Sequence, residues 1–149
     1  MIKINIIKAL NQSIACITVL SQKLRTFHWL LVDQNFFNLH QLFGNLYNQL
    51  IVDIDDFAER IKQLKGIPIH TLQRILVISL IRESIKKQIT SQEMVSSLME
   101  DFGILKECLN VVVVNALPIN DRTTIFLVDT KVGLYDKNLW FLKSFLQNS

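Results

Sequence analysis

The sequence predicts an all-α protein: four long helices folded into a bundle, with a long connection between the second and the third. Three observations carry this. Apolar residues recur at steps of three and four along four separate segments, which is the period of a helix with one buried face. Both prolines, Pro68 and Pro118, fall in connections between those segments rather than inside them. Half of the 149 residues are hydrophobic. That is ample for the core of one domain spanning 1–149, and the surplus suits subunit interfaces, which are more apolar than ordinary surface when they are permanent.

The first helix is expected over residues 4–32, where Ile7, Leu10, Ile14, Ile17, Leu20, Leu24, Phe27 and Leu31 form the stripe. Asp33-Gln34-Asn35 breaks it, with Asp33 or Asn35 as N-cap of the next helix. The second helix, 36–65, carries Leu39, Leu42, Leu46, Leu50, Ile54, Phe57, Ile61 and Leu64 on one face. Gly66 suits the C′ position that ends it, and Pro68 cannot continue it. Residues 70–82, HTLQRILVISLIR, fit a short helix or a strand. Thr90 or Ser91 opens the third long helix, with Glu93 in place for a capping box. Its stripe is Met94, Leu98, Phe102, Leu105, Leu109, Val112 and Ala116. The β-branched run Val111–Val114 favours strand locally, but the helical period continues through it. Pro118 and Asn120-Asp121 turn the chain, and Asp121 caps a last helix striped by Ile125, Val128, Val132, Tyr135, Leu139, Leu142 and Leu146.

Charge and cysteine usage exclude little and suggest less. A formal net charge of +3 with a pI of about 9.0 does not by itself argue for nucleic acid. Cys16 and Cys108 fit no CxxC pattern and read as reduced, buried thiols of a cytoplasmic protein. No uncharged apolar run reaches the ~18 residues of a membrane span. The amino-terminal MIKINIIKAL lacks the apolar stretch and small-residue cleavage site of a secretion signal.

Chemistry concentrates in residues 23–60. His28-Trp29, His40 and the i, i+4 pair Asp55/Glu59 all fall there. Imidazole nitrogens with carboxylate oxygens are a ligand set for iron or a similar divalent metal. Asp56 and Arg60 lie about 100° round the same helix and are placed to form their own ion pair. His40 and Asp55 share one expected helix and are separated by roughly 22 Å along its axis. Ligands of one ion must converge within about 4 Å, since each bond is only ~2 Å long. Either the two ends serve different purposes or a second copy of the chain completes the site. An isologous dimer does the latter, setting the start of one helix against the end of its mate.

His28-Trp29, His40 twelve positions on, Asp55 and Glu59 within DIDDFAER, and the closing NLWFLKSFL at 138–146 together resemble the Dps family, the mini-ferritins of starved bacterial cells. The resemblance implies a ferritin-like four-helix bundle with a short extra helix in the long crossover between helices 2 and 3. Residues 70–82 would be that helix, and the run Ile75–Ile81 a two-fold interface. It further implies an iron-storing ferroxidase cage, a homo-dodecamer, that oxidises Fe2+ with hydrogen peroxide or more slowly oxygen and stores Fe3+ as oxide. His28 and His40 would come from one subunit, Asp55 and Glu59 from its two-fold mate. Trp29 reads on general grounds as core or interface; the resemblance places it beside the iron centre. Trp140 reads as packing and His70 as a surface loop residue. One position departs: the family usually has a carboxylate four residues after the second histidine, and here stands Gly44.

By the same resemblance, the loop before the last helix and that helix's start, NDRTTIFLVDTKVG, would line the family's acidic three-fold pore. Asp121 and Asp129 are interrupted there by Arg122, Phe126 and Lys131, which predicts weaker steering of Fe2+. Two other readings are a DNA-compacting nucleoid protein and a degenerate cage with little ferroxidase activity. The basic residues available for DNA are Lys3 and Lys8 and the cluster Arg82, Lys86 and Lys87. A classical ferritin fits worse, because its Glu-x-x-His ligand pair is missing from the sequence.

Overall fold

The computed structural model describes residues 2–147, and all its regular structure is helical. Helices α1 (Ile2–Leu30), α2 (Phe36–Gln63), α4 (Ser91–Ala116) and α5 (Arg122–Gln147) form the bundle. Helix α3 (Leu72–Ile78) lies in the crossover between α2 and α4. Helix α1 packs against α2 and α4, α4 against α5, and α3 lies on α1. The expected stripes meet in one core: Leu10, Leu24, Phe27, Phe43, Phe57, Phe102 and Leu109 are fully buried. Burying each such side chain contributes about 1.5–3 kcal/mol, so the interior rather than helix propensity holds the bundle together. Helices α1 and α4 are long and apolar enough by composition to cross a membrane; 61% of that stretch in α1 and 33% in α4 is buried in the bundle.

The short α1–α2 connection sets the end of α1 against the start of α2. Helix α1 stops two residues before its expected end because Asp33 organises the turn, accepting Asn35 N–H at 2.7 Å and the Ser91 hydroxyl at 2.5 Å. Asn35 occupies the N-cap position of α2 without a side-chain cap. Helix α4 starts as expected, on a complete capping box between Thr90 and Glu93. Asp121 accepts Thr124 N–H at 3.1 Å at the start of α5, as an N-cap does.

The end of α2 differs from expectation in one instructive way. It closes as a Schellman motif, with Lys65 N–H on the Lys62 carbonyl and Gly66 N–H on Ile61. The left-handed C′ residue is therefore Lys65, at φ 65°, and not Gly66. Gly66 is needed for space instead: a Cβ there would lie 2.9 Å from both Ile61 Cγ2 and Ile7 Cδ1. Lys65→Gly is expected to stabilise the protein by about 1 kcal/mol, read as a higher denaturant midpoint with unchanged slope.

Four other side chains are placed differently from the sequence reading. Arg60 does not pair with Asp56; it meets Asp121 at 2.8 Å across the bundle. Asp56 pairs instead with Lys131 at 2.5 Å. Lys131 itself is buried and ion-paired rather than exposed among pore residues. Trp140 is 64% exposed and contacts Phe141, so it is not core packing in the isolated chain. The Ile75–Ile81 run is split. Ile75 and Ile81 are buried against the bundle, while Leu76, Val77 and Leu80 face outward.

Candidate metal centre

The α1–α2 connection brings His28 and His40 into contact. Their rings stack with centroids 3.6 Å apart and planes 16° apart. Each ring is held by the other residue's backbone. His28 Nδ1 donates to the His40 carbonyl at 2.7 Å, and His40 Nδ1 donates to the His28 carbonyl at 2.9 Å. A carbonyl can only accept, so each Nδ1 carries a proton, and Nε2 is the ring atom left for a metal. The sequence left the orienting partner of each histidine unidentified; it is main chain.

Two aromatic rings that sequence reasoning passed over frame the pair. Phe36 stacks on His40 with centroids 4.8 Å apart, and Tyr47 meets His28 edge-on at 5.5 Å. Arg25 lies over the outer face of Tyr47, 5.6 Å from its centroid. Phe36 sits four residues before His40, one helical turn, which is the signal that marks it as a neighbour. Gly44, one turn after His40, lies directly beneath His28: a Cβ there would be 3.2 Å from His28 Cε1. The position where the resemblance expects a carboxylate thus adjoins the histidine ring, and Gly44 offers no side chain there.

Asp55 and Glu59 are on α2 as expected and both are exposed. They share a face several turns below His40. Among the described residues no group of three or more His, Cys, Asp or Glu converges within the chain, as the length of α2 requires. Trp29 follows His28 and is 66% exposed, with Val32 and Phe37 at 88% and 85% close in sequence. Large apolar side chains grouped at the surface beside polar ligands mark an interaction face. His70 is exposed and bonded within its own loop, at Pro68 O.

Of the two acidic residues near the start of α5, Asp121 is engaged and Asp129 is exposed. Asp121 takes Arg60, Thr124 N–H and the Thr124 hydroxyl. Burial would push its carboxyl up, but the Thr124 bonds and the Arg60 charge hold it below the usual range. Phe126 is 74% exposed at the surface of the same region.

Comparison with known proteins agrees with this architecture. A ferritin-like domain model matches residues 7–149. General stress protein 20U of Bacillus subtilis is 34% identical over 141 residues, covering 95% of this chain and 97% of that protein. The DNA protection during starvation protein of Brevibacillus brevis is 36% identical over 138 residues, covering 93% and 92%. Among solved structures, the Dps protein of Bacillus brevis superposes with a TM-score of 0.93 at 35% identity over 97% of each chain. The Dps protein of Vibrio cholerae O1, described as a member of a broad superfamily of ferritin-like diiron-carboxylate proteins, superposes with a TM-score of 0.92 at 28% identity, covering 97% and 91%. A helical bundle with a short crossover helix, a family match over nearly its whole length and relatives above 30% identity place this chain in the Dps family of ferritin-like proteins.

Proposed function

We propose that the chain is the subunit of a cytoplasmic iron-storing cage, a homo-dodecamer, in which Fe2+ is oxidised at centres shared between two-fold related subunits. The observation that carries this reading is the reciprocal clasp of His28 and His40. It leaves the Nε2 atoms of two imidazoles for a metal at one end of α2, while the exposed carboxylates Asp55 and Glu59 stand at the other. Asp55 and Glu59 of the partner subunit complete the ligand set, and Trp29 is covered at the interface beside it.

Iron is the substrate here. Each Fe2+ yields one electron, and hydrogen peroxide accepts two with two protons to give two waters. Oxidising iron in pairs therefore consumes peroxide without releasing hydroxyl radical, which protects DNA and protein. Oxygen serves as the slower acceptor, and the ferric product is deposited as oxide inside the shell. Gly44 bears on the pairing. With no carboxylate beneath His28, four ligands hold one iron firmly and a second weakly. Anaerobic titration of metal-free protein with Fe2+ should give one tight and one weak equivalent per centre; two equally tight equivalents would refute the four-ligand site.

The reading as a whole is tested on metal-free protein of confirmed assembly size. Fe2+ is added anaerobically, then peroxide, and ferric absorbance is followed beside a His28→Ala/His40→Ala double variant. Fast oxidation in the native protein and a rate at least tenfold lower in the variant are expected, about 1.4 kcal/mol of lost stabilisation or more. Equal, slow traces from both proteins would overturn the proposal in favour of a cage without a centre. Of the cluster Arg82, Lys86 and Lys87 that could meet DNA, all three are exposed and Lys86 is within 3.6 Å of Glu93.

A further inference from the structure

Two thiols that the iron chemistry does not use meet in the interior. Cys16 on α1 is fully buried and Cys108 on α4 is 4% exposed, both as free cysteines. They are 92 positions apart in sequence, yet their Sγ atoms are 3.8 Å apart. Nothing else in the fold requires two thiols to face each other. We propose that Cys16 and Cys108 are a dithiol site that hydrogen peroxide oxidises to an intrachain disulfide joining α1 to α4.

The geometry is close to what the bond needs. A disulfide requires sulfurs about 2.05 Å apart, so the pair must close by roughly 1.8 Å, within reach of small side-chain rotations. The two thiols are also unequal. The Leu80 amide donates to Cys16 Sγ at 3.4 Å. The hydrogen bond shared with Cys108 and then that amide hold the Cys16 thiol below its ordinary range, against the effect of burial. The same shared bond, with burial, pushes the Cys108 thiol up. Cys16 is therefore the attacking sulfur and Cys108 the resolving one. Cys16 is the more buried of the two, and a path to it needs a local shift of the chain that covers it. The segment that contacts it, Ser79–Ile81, follows α3 and is irregular, and Leu80 within it is 54% exposed. Shifting that segment admits a molecule of peroxide size without separating the long helices.

The step balances. Cys16 thiolate attacks one peroxide oxygen; an S–O bond forms, the O–O bond breaks, and hydroxide leaves and is protonated to water. Cys108 sulfur then attacks the Cys16 sulfenic acid; the S–S bond forms, the S–O bond breaks, and the departing hydroxide takes the Cys108 proton as a second water. Two thiols are oxidised by two electrons and one peroxide is reduced to two waters.

The test uses the metal-free assembly, so it stands or falls apart from the iron reading. The protein is exposed to excess peroxide, quenched, unfolded in an alkylating reagent and weighed as whole chains. The expected product is an unalkylated monomeric chain about 2 Da lighter than the reduced one, which reductant converts to the doubly alkylated form. Cys108→Ser should stop at a sulfenic acid on Cys16 that dimedone traps, and Cys16→Ser should leave Cys108 alkylatable at the same dose. A native chain that stays doubly alkylated, gains oxygen without losing hydrogen, or links to a second chain overturns the proposal. That readout needs no variant to fold.

Discussion

Asp53→Ala is expected to lower the unfolding free energy by about 3–5 kcal/mol, the cost of leaving a buried charge without its partner. Asp53 is 1% exposed between α2 and α5. It accepts the Tyr135 hydroxyl at 2.6 Å and lies 2.8 Å from Lys131 Nζ. Without it the buried ammonium keeps only Asp56, whose side chain is 38% exposed, and the fully buried phenol loses its acceptor. Asp56→Ala is the control. It removes the more solvated partner and should cost about 1 kcal/mol or less. Denaturant unfolding at one fixed chain concentration separates the two, because assembly adds stability that depends on concentration. Equal losses for the two variants would refute the assignment of Asp53 as the anchor.

The same network sets an alkaline limit. Burial alone would lower the Lys131 ammonium, but the hydrogen bonds and charges of Asp53 and Asp56 raise it above its ordinary 10.5. Burial, then the Asp53 charge, raises the Tyr135 phenol well above 10. Both groups hold their protons more tightly folded than unfolded. Their contribution is therefore complete below about pH 10 and is lost as pH rises through the folded values. In Asp53→Ala that alkaline loss becomes shallower, because both shifts weaken.

What the sequence made legible follows from how locally each feature is encoded. The Thr90–Glu93 box and the Asp121 cap depend on residues within one helical turn, and those helix starts, like that of α2 after Asn35, are where the pattern puts them. The α2 terminus was legible as a stop but not in its mechanism. A glycine near a helix end signals a left-handed residue, and here the glycine is kept for contact with Ile7, which lies 59 positions earlier. Lys131 and Arg60 were misplaced for a similar reason. Each is a charged residue with an acid one turn away or in plain view, while its actual partner lies on another helix or just before its start. Period alone says which face is apolar, not which cation crosses the bundle. The histidine pair was legible as residues because spacing reveals it. Its orienting bonds were not, because a backbone carbonyl leaves no mark in a sequence. The meeting of Cys16 with Cys108 was equally silent, since it depends on the relative register of α1 and α4.

The proposed sharing of the centre between subunits has a consequence that a single-chain site cannot imitate. A His28→Ala/His40→Ala chain and an Asp55→Ala/Glu59→Ala chain should each lose fast Fe2+ oxidation when assembled alone. Co-expressed so that subunits mix during assembly, they should recover it. In a two-fold pair of unlike chains, one centre combines both defects and the other takes its histidines from one chain and its carboxylates from the other, and so is complete. With random pairing, half the dimers are unlike and half of their centres are intact, so the mixture should run at about one quarter of the native rate. If all ligands came from one chain, every centre in the mixture would carry a defect and no activity would return. The 22 Å or so that α2 puts between His40 and Asp55 excludes a single-chain centre unless the helix breaks, and α2 is continuous from Phe36 to Gln63. Recovery in the mixture, against none when the two proteins are assembled separately and then combined, is the outcome expected.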